Sequence, residues 1–391
     1  MSDDADIIYL DYAASTPADP RVVDVMTPLF GADGDFANPS SGHIAGRRSS
    51  AHIERAAAQL AELLGCGEEE LVWTSGATES DNLAIVSAAR YRADRGRHLI
   101  TMPTEHKAVA DVFRLLEKRG FEVSWLRPDD AGLLDPADLE GAIRPDTQLV
   151  SIMHVNNETG VIQDIEALGA ICRERDVLFH VDAAQSVGKL PLALASLPVD
   201  LLSATAHKFY GPKGIGALYI ARRPGCHVEP LIYGGGQQGG RRPGTLAVPL
   251  IAGFGEAARI AMSEMQENHQ HLRSLNERLW NGIRDLDGIV RNGSESHSFP
   301  GILNVSVDEI EGEILLLALE PLCVATGSAC NSKSEEPSPV LRALGRSDLL
   351  AQSAIRFSFG RPTTSAQVDF AVARYREAVA RLRAIAPGQA A

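Results

Sequence analysis

Short apolar segments alternate with segments of helical spacing between about residues 50 and 260, and this alternation limits the possible folds more than any other feature. Several of the segments are apolar at consecutive positions, which is typical of strands that helices cover on both faces. Helical spacing occurs between them, for example at 81–92 and 165–175. The alternation predicts an α/β fold with a mostly parallel sheet. The predicted strands are 71–74, 98–102, 122–126, 149–155, 177–182, 201–204 and 216–220.

The pattern changes after about residue 262, where strands and helices are too few for a second sheet of this kind. Leucine and isoleucine recur at helical spacing over 272–286, and Thr364 with Gln367 fits a capping box at the start of a last helix. We therefore expect a large domain and a smaller α+β domain that carries a polar, mobile loop. The large domain is 15–262, and the small domain is 1–14 with 263–391. In the small domain we expect strands at 303–307 and 355–359, a short helix around 313–319 and a last helix that ends at about 385. The mobile loop is about 325–339.

The charge and the cysteine pattern narrow the functional classes. With 51 acidic and 37 basic residues the formal charge is −14, which argues against a general nucleic-acid or anionic-membrane binder. No apolar segment approaches the ~18 residues of a membrane span, and the acidic start does not resemble a targeting peptide. The five cysteines are widely spread and never form a CxxC pair, which disfavours structural zinc and a disulfide scaffold. We expect a cytoplasmic enzyme with no resident metal, no direct contact with nucleic acid and no membrane association.

Two predicted strands end at chemically active side chains. Lys208 follows the strand 201–204, at the edge where open α/β sheets bind ligands, and partial burial suits such an amine to form a Schiff base. The alternative is a lysine that extends past the strand end into solvent. Asp182 ends the strand 177–182, where a carboxylate could pair with the ring nitrogen of pyridoxal phosphate or cap the next helix. Taken together, the two residues favour a pyridoxal phosphate site.

Further polar residues follow other predicted strands. Gly76 permits a tight turn, after which Ala77 and Thr78 present backbone N–H groups at a helix N-terminus, a natural phosphate site. His106 could stack on a cofactor ring or transfer protons, although a lone histidine is more often structural. Asn157 could bind a ring hydroxyl or a substrate carboxylate.

The small domain supplies two more candidates. Cys330 lies in a polar loop without bulky apolar neighbours, where a thiol can become a nucleophilic thiolate if nearby cations lower its pKa. Arg356 lies among alternating apolar residues of a predicted strand and could bind a carboxylate through two hydrogen bonds. The alternatives are an incidental loop cysteine and an outward-facing strand arginine.

These segments together resemble the NifS/IscS class of pyridoxal-phosphate-dependent cysteine desulfurases, in the class V aminotransferase family. The resemblance extends over about residues 8 to 385 and implies the type I fold of pyridoxal phosphate enzymes (aspartate aminotransferase-like) and a homodimer. The segments that carry it are YLDYAASTP (9–17), NPSSGH (38–43), TSGATESDN (74–82), TEHKAV (104–109), SIMHVNNETG (151–160), HVDAAQSVGK (180–189), AHKFYGPKGIGALY (206–219), GGG with RRPGT (234–245) and GSAC (327–330).

The resemblance also implies a role for each matching residue. Lys208 would hold the cofactor, Asp182 would pair with its ring nitrogen, Gln185 would contact its ring hydroxyl, and His106 would stack on the ring and transfer protons. Asn157 and Arg356 would lie near the ring and the substrate carboxylate, and Cys330 would take up the sulfur. The implied phosphate positions are Ala77, Thr78, Thr205, Ala206, His207 and, from the neighbouring subunit, Thr245.

The activity that the resemblance implies is conversion of L-cysteine to L-alanine, with the sulfur held as a persulfide on Cys330 for a sulfur-acceptor protein. Cys330 could also ligate an iron–sulfur cluster transiently. The alternatives are a selenocysteine lyase and a non-catalytic subunit of a sulfur-transfer system. The acceptor stays open: an iron–sulfur scaffold, a tRNA-thiolation protein or a DNA-modification system. Departures from the family pattern are Ala206, Pro243 and a C-terminus, PGQAA (387–391), shorter than in housekeeping members.

Overall fold

The computed structural model describes residues 7–326 and 337–385. The strands in that part of the chain are β1 (Ile8–Tyr9), β2 (Leu71–Thr74), β3 (His98–Thr101), β4 (Glu122–Trp125), β5 (Thr147–Ser151), β6 (Leu178–Asp182), β7 (Leu201–Thr205), β8 (Gly216–Ile220), β9 (Ile289–Arg291), β10 (Ile302–Val307), β11 (Leu322–Cys323), β12 (Ala325–Thr326) and β13 (Ile355–Ser358). The helices are α1 (Pro20–Met26), α2 (Ile44–Leu64), α3 (Ala77–Tyr91), α4 (Lys107–Lys118), α5 (Pro136–Ala142), α6 (Ile165–Glu174), α7 (Val248–Ile283), α8 (Gly312–Ala318), α9 (Pro339–Ala343), α10 (Asp348–Gln352) and α11 (Ser365–Ile385).

The main sheet has seven strands in the order β2-β8-β7-β6-β5-β3-β4. The five strands from β7 to β4 run parallel, and β8 is antiparallel to both of its neighbours. Apolar cores lie on both faces: α3 and α4 cover one, and α2, α6 and the first part of α7 cover the other. The prediction of a mostly parallel sheet with helices on both faces is confirmed.

A smaller antiparallel sheet forms from the C-terminal part of the chain. Its order is β12-β13-β10-β9, and β1 pairs separately with β11 in parallel. Helices α8, α11 and the second part of α7 pack around this part of the structure and enclose a core of their own. The predicted capping box at the start of α11 is present, because the Thr364 amide donates to Gln367 Oε1 at 2.9 Å and the Gln367 amide donates to Thr364 Oγ1 at 3.2 Å.

Helix α7 connects the two cores and is longer than the sequence pattern predicts. Its buried residues from Val248 to Ala261 pack in the core of the main sheet, and those from Leu272 to Ile283 pack in the smaller core. Because the helix changes partners along its length, its apolar stripe is divided and only the second part has a clear helical period. The expected domain boundary at 262 falls inside this helix, and we keep the division into two domains as a proposal.

Two other predicted boundaries are wrong by several residues. Strand β5 ends at Ser151 rather than at 155, although the amides of Ile152 and His154 still donate to the carbonyl oxygens of His180 and Asp182 in β6. Helix α3 begins at Ala77 rather than at 81, since its polar first turn lacks the apolar period that marks the rest. None of the described helices is both long and apolar enough to span a bilayer.

Candidate active site

A cavity of about 660 Å³ lies at the carboxyl ends of the parallel strands, between the two sheets. The smaller sheet contributes Arg356 to its wall, and the loop before α1 contributes Asp11, Ala13, Ala14 and Ser15. The structure therefore brings together most of the candidate residues. Those that line the cavity are Ala77, Thr78, His106, Asn157, Asp182, Gln185, Thr205, His207, Lys208 and Arg356.

Three candidate residues are not among those that line this cavity in the described part of the chain. Ala206 is fully buried and packs in the apolar core beneath the site, so its side chain does not face the cavity. Thr245 is exposed on the loop before α7. Cys330, and the predicted mobile loop apart from Ala325, Thr326 and residues 337–339, lie outside the described residues.

Asp182 provides a buried carboxylate at the end of β6. Its Oδ1 accepts a hydrogen bond of 2.9 Å from the amide of Ala184. Burial raises the pKa of this carboxyl group, and the nearby His106 and Lys208 oppose that shift. The residues that follow form turns rather than an α-helix, so the helix-cap interpretation of Asp182 is wrong.

Lys208 closes a short 3₁₀ turn, Ala206–Lys208, directly after β7. Its Nζ donates hydrogen bonds to the carbonyl oxygens of Ala13 at 2.6 Å and Ala14 at 2.9 Å. The amine is thus held at the cavity wall by the N-terminal segment, and the interpretation of a lysine that simply extends into solvent is wrong.

The start of helix α3 and the charge of Lys213 together favour an anion in the cavity. Ala77 and Thr78 are the first residues of α3, where backbone N–H groups have no acceptor within the helix. His207 and Lys213 also line the cavity. Burial and the nearby lysines lower the pKa of His207 to about 4, so the positive charge comes from Lys213. A Cβ atom at Gly216 would lie 2.6 Å from Gly76 Cα, so a glycine at 216 is what lets β8 approach the turn that presents these groups.

His106 lines the cavity and is the N-cap of α4. Its Nδ1 accepts a hydrogen bond of 3.1 Å from the amide of Ala108, so the proton of the neutral ring is on Nε2. Burial lowers the pKa of the imidazole, an effect that Asp182 opposes and Lys208 reinforces. Near neutral pH the imidazole in the cavity is therefore neutral, with its N–H donor on Nε2.

Arg356 and Asn157 form the side of the cavity nearest the smaller sheet. Arg356 Nη1 donates to the Asn157 carbonyl oxygen at 2.7 Å, and Nη2 donates to Asp11 Oδ1 at 2.7 Å. The guanidinium is buried and its Nε has no partner among the described residues. The interpretation of an outward-facing strand arginine is wrong.

The sequence interpretation missed several residues of this site. Asp11 orients Arg356, and Lys213 adds positive charge. Glu79 accepts a hydrogen bond of 2.7 Å from the Ser75 amide and pairs with Arg242 at 2.8 Å. Asp11 lies in the segment YLDYAASTP and Glu79 in TSGATESDN, and both segments carry the family resemblance. Their acidic residues were therefore the available signal for these two members of the site.

The comparisons with known proteins agree with this geometry. The family model of the class-V aminotransferases matches residues 8–370. The chain belongs to this family. It is 53% identical, over 97% of its length and 94% of the relative, to "Cysteine desulfurase IscS" of Serratia proteamaculans. Among solved structures, a "NifS-like protein" covers 96% of this chain and all of its own with a TM-score of 0.89 at 37% identity. A structure titled "SspA in complex with cysteine" covers 90% of this chain and 98% of its own, with a TM-score of 0.80 at 39% identity.

These findings confirm the predicted family, the type I fold and the enzyme class. Class-V aminotransferases and the IscS proteins are pyridoxal phosphate enzymes, so pyridoxal phosphate is the cofactor. The residues of the cavity fit this group. The buried Asp182 carboxylate suits a ring nitrogen, the Lys208 amine suits an aldehyde, and the start of α3 with Lys213 suits a phosphate.

Proposed function

We propose that this chain is a cysteine desulfurase, which converts L-cysteine to L-alanine and passes the sulfur to an acceptor protein. The observation that carries the proposal is the single cavity in which Lys208, Asp182 and Arg356 meet. An amine for the cofactor and a buried arginine for a substrate carboxylate are what an amino-acid substrate requires. A relative named cysteine desulfurase that is 53% identical supports the assignment.

Each residue of the cavity has a distinct part in the proposed reaction. Pyridoxal phosphate, when bound, supplies an electron sink for the bonds at the substrate α-carbon. Arg356 and Asn157 orient the substrate carboxylate, and Asp11 holds the Arg356 guanidinium in place. His106, with its proton on Nε2, and the Lys208 amine exchange protons with the substrate.

In the sulfur-transfer step, the nucleophile is the thiolate of Cys330. Its thiolate forms a bond to the substrate sulfur while the substrate C–S bond breaks. The electron pair of the broken bond stays on carbon, which takes up a proton and leaves as alanine, and the enzyme keeps a persulfide.

The described residues on both sides of Cys330 lie beside the cavity. Strand β12 ends at Thr326, and its Ala325 pairs with Arg356 of β13. On the other side, Ser338 Oγ donates to Glu158, the neighbour of Asn157, at 2.6 Å. Cys330 lies four positions after Thr326 in the chain, a reach of up to about 14 Å, and this supports Cys330 as the residue that receives the sulfur.

The partners belong to the same proposal. L-Cysteine is the substrate, and the persulfide is delivered to a scaffold or thiolation protein. We place the enzyme in the cytoplasm as a homodimer, in which Thr245 contacts the cofactor phosphate of the neighbouring subunit. The exposure of Thr245 in the single chain is compatible with that role.

The decisive experiment measures alanine and sulfide formed from L-cysteine by the protein loaded with pyridoxal phosphate. We expect activity in the wild type, loss of both the cofactor's visible absorption band and activity in Lys208→Ala, and loss of activity with retention of the band in Cys330→Ser. Cys66→Ser, which alters a partly buried thiol away from the cavity, is the matched control.

The same assay separates the alternatives. Turnover of selenocysteine but not of cysteine would indicate a selenocysteine lyase. An inactive wild type that binds pyridoxal phosphate would indicate a non-catalytic subunit, and either result would overturn the proposal.

A further inference from the structure

Lys189 lies behind the cavity wall and takes no part in the functions described so far. It is partly buried in the turns that follow β6, and it lines a smaller cavity that it shares with Lys208. Its Nζ donates a hydrogen bond of 2.7 Å to Gln185 Oε1 and lies 5.5 Å from the centre of the Phe299 ring. Within residues 7–326 and 337–385, no carboxylate lies within ion-pair distance of this amine.

The hydrogen bond from Lys189 settles the orientation of the Gln185 amide. A lysine ammonium can only donate, so the atom it contacts must be the amide oxygen. The amide nitrogen therefore points the other way, where Nε2 donates to the Ala13 carbonyl at 2.8 Å. Gln185 lines the large cavity, and the contacts with Lys189 and with the Ala13 carbonyl together hold its amide with the oxygen toward Lys189 and the nitrogen toward Ala13.

The same contacts connect Lys189 to Lys208. The Ala13 carbonyl accepts hydrogen bonds from both Gln185 Nε2 and Lys208 Nζ. Lys189, Gln185, Ala13 and Lys208 therefore form one continuous network on the wall that separates the two cavities.

The surroundings of Lys189 are positively charged. Burial lowers the pKa of its amine to about 7, with Lys208 and Arg356 contributing, and the charge of Lys189 acts in turn on His207. The other titratable or charged groups of the shared cavity are Tyr12, Tyr210, His269 and Arg361. Below about pH 7, where Lys189 carries its charge, a positive charge placed so near Lys208 disfavours a second one.

We propose that Lys189 is a positioning residue, which orients the Gln185 amide and weakens proton binding at the Lys208 nitrogen through its charge. The inference rests on the proposed cysteine desulfurase function and names a residue that tunes the same site. When proton binding at the Lys208 nitrogen is weakened, this nitrogen is more often unprotonated, and an unprotonated nitrogen can accept a proton from the substrate.

The test is a pH titration of the visible absorption band that the lysine-bound cofactor gives in the holoenzyme. Lys189→Met removes the charge and keeps the length of the side chain, and Lys189→Arg keeps the charge. Lys118→Met removes an exposed lysine at the end of α4 and is the control. Should Lys189→Met fail to fold, Lys189→Gln supplies the uncharged variant.

We expect the titration midpoint to rise by about one pH unit in Lys189→Met, and not to rise in Lys189→Arg or Lys118→Met. An unchanged midpoint in the uncharged variant, or an equal rise in Lys189→Arg, would overturn the inference. Failure of the proposed function is a separate observation, because it would appear as an inactive wild type.

Discussion

The hydroxyl group of Ser338 donates a hydrogen bond of 2.6 Å to the buried carboxylate of Glu158. Glu158 is the next residue after Asn157, which lines the large cavity, and Ser338 is also the N-cap of α9. The contact therefore ties the chain that follows Cys330 to the side of the site where Arg356 binds Asn157. Burial raises the pKa of Glu158 to about 7, while the hydrogen bond from Ser338 and the charge of Arg356 act in the opposite direction.

The raised pKa of Glu158 predicts a pH-dependent stability. In the unfolded chain this carboxyl group releases its proton near the ordinary glutamate pKa of 4.5, whereas the folded protein keeps the proton up to about pH 7. The folded state binds more protons in that window, so this contribution to the free energy of unfolding falls as the pH rises through it, by on the order of 3 kcal/mol.

Glu158→Gln should remove this part of the pH dependence, because the amide oxygen can still accept from Ser338. Urea unfolding at pH 5 and pH 7.5 measures the free energy in wild type and variant. A variant whose stability changes with pH as much as that of the wild type would contradict the role given to Glu158.

Ser338→Ala should cost more stability than an ordinary cap mutation. The substitution removes the N-cap of α9 and also leaves the buried Glu158 without its donor, which adds about 1–3 kcal/mol. Ser347→Ala is the matched control, since Ser347 caps the equally short α10 and its hydroxyl makes only the cap bond within the described part of the chain. Equal free energies of unfolding for the two variants, measured in urea, would show that the Glu158 contact contributes nothing.

Arg356→Lys should weaken substrate binding more than turnover. A lysine cannot hold Asn157 and Asp11 while also presenting a planar pair of donors to a carboxylate. We expect the KM for L-cysteine to rise about 10- to 100-fold, with a smaller change in kcat. Steady-state alanine production measures both constants, and a KM equal to that of the wild type would remove Arg356 from substrate recognition.

His106→Asn should separate helix capping from proton transfer. Asparagine is a good N-cap, so α4 and the thermal stability of the protein should be retained. Loss of the imidazole should lower kcat by about 10²–10⁴-fold. A thermal melt and a turnover assay on the same preparation check the two parts, and a kcat within a factor of two of the wild type would exclude His106 from proton transfer.

The sequence alone determined the main sheet and the strand ends that carry chemistry. Asp182 is the last residue of one fully buried strand and Lys208 follows another, and the carboxyl ends of parallel strands lie at one edge of a sheet. The capping box at Thr364 is equally local, since its two hydrogen bonds join residues three positions apart. Such features depend on neighbours in the chain, and a pattern of residues is enough to reveal them.

Only the tertiary structure decided which distant residues complete the site. Arg356 binds the backbone of Asn157 and the carboxylate of Asp11 across separations of 199 and 345 positions, and no local period reports such contacts. The same holds for Lys189, whose place in the sequence is that of any lysine in a turn. Its effect arises because folding places its amine near Lys208 and away from any described carboxylate, and electrostatic interactions depend on distance in space rather than along the chain.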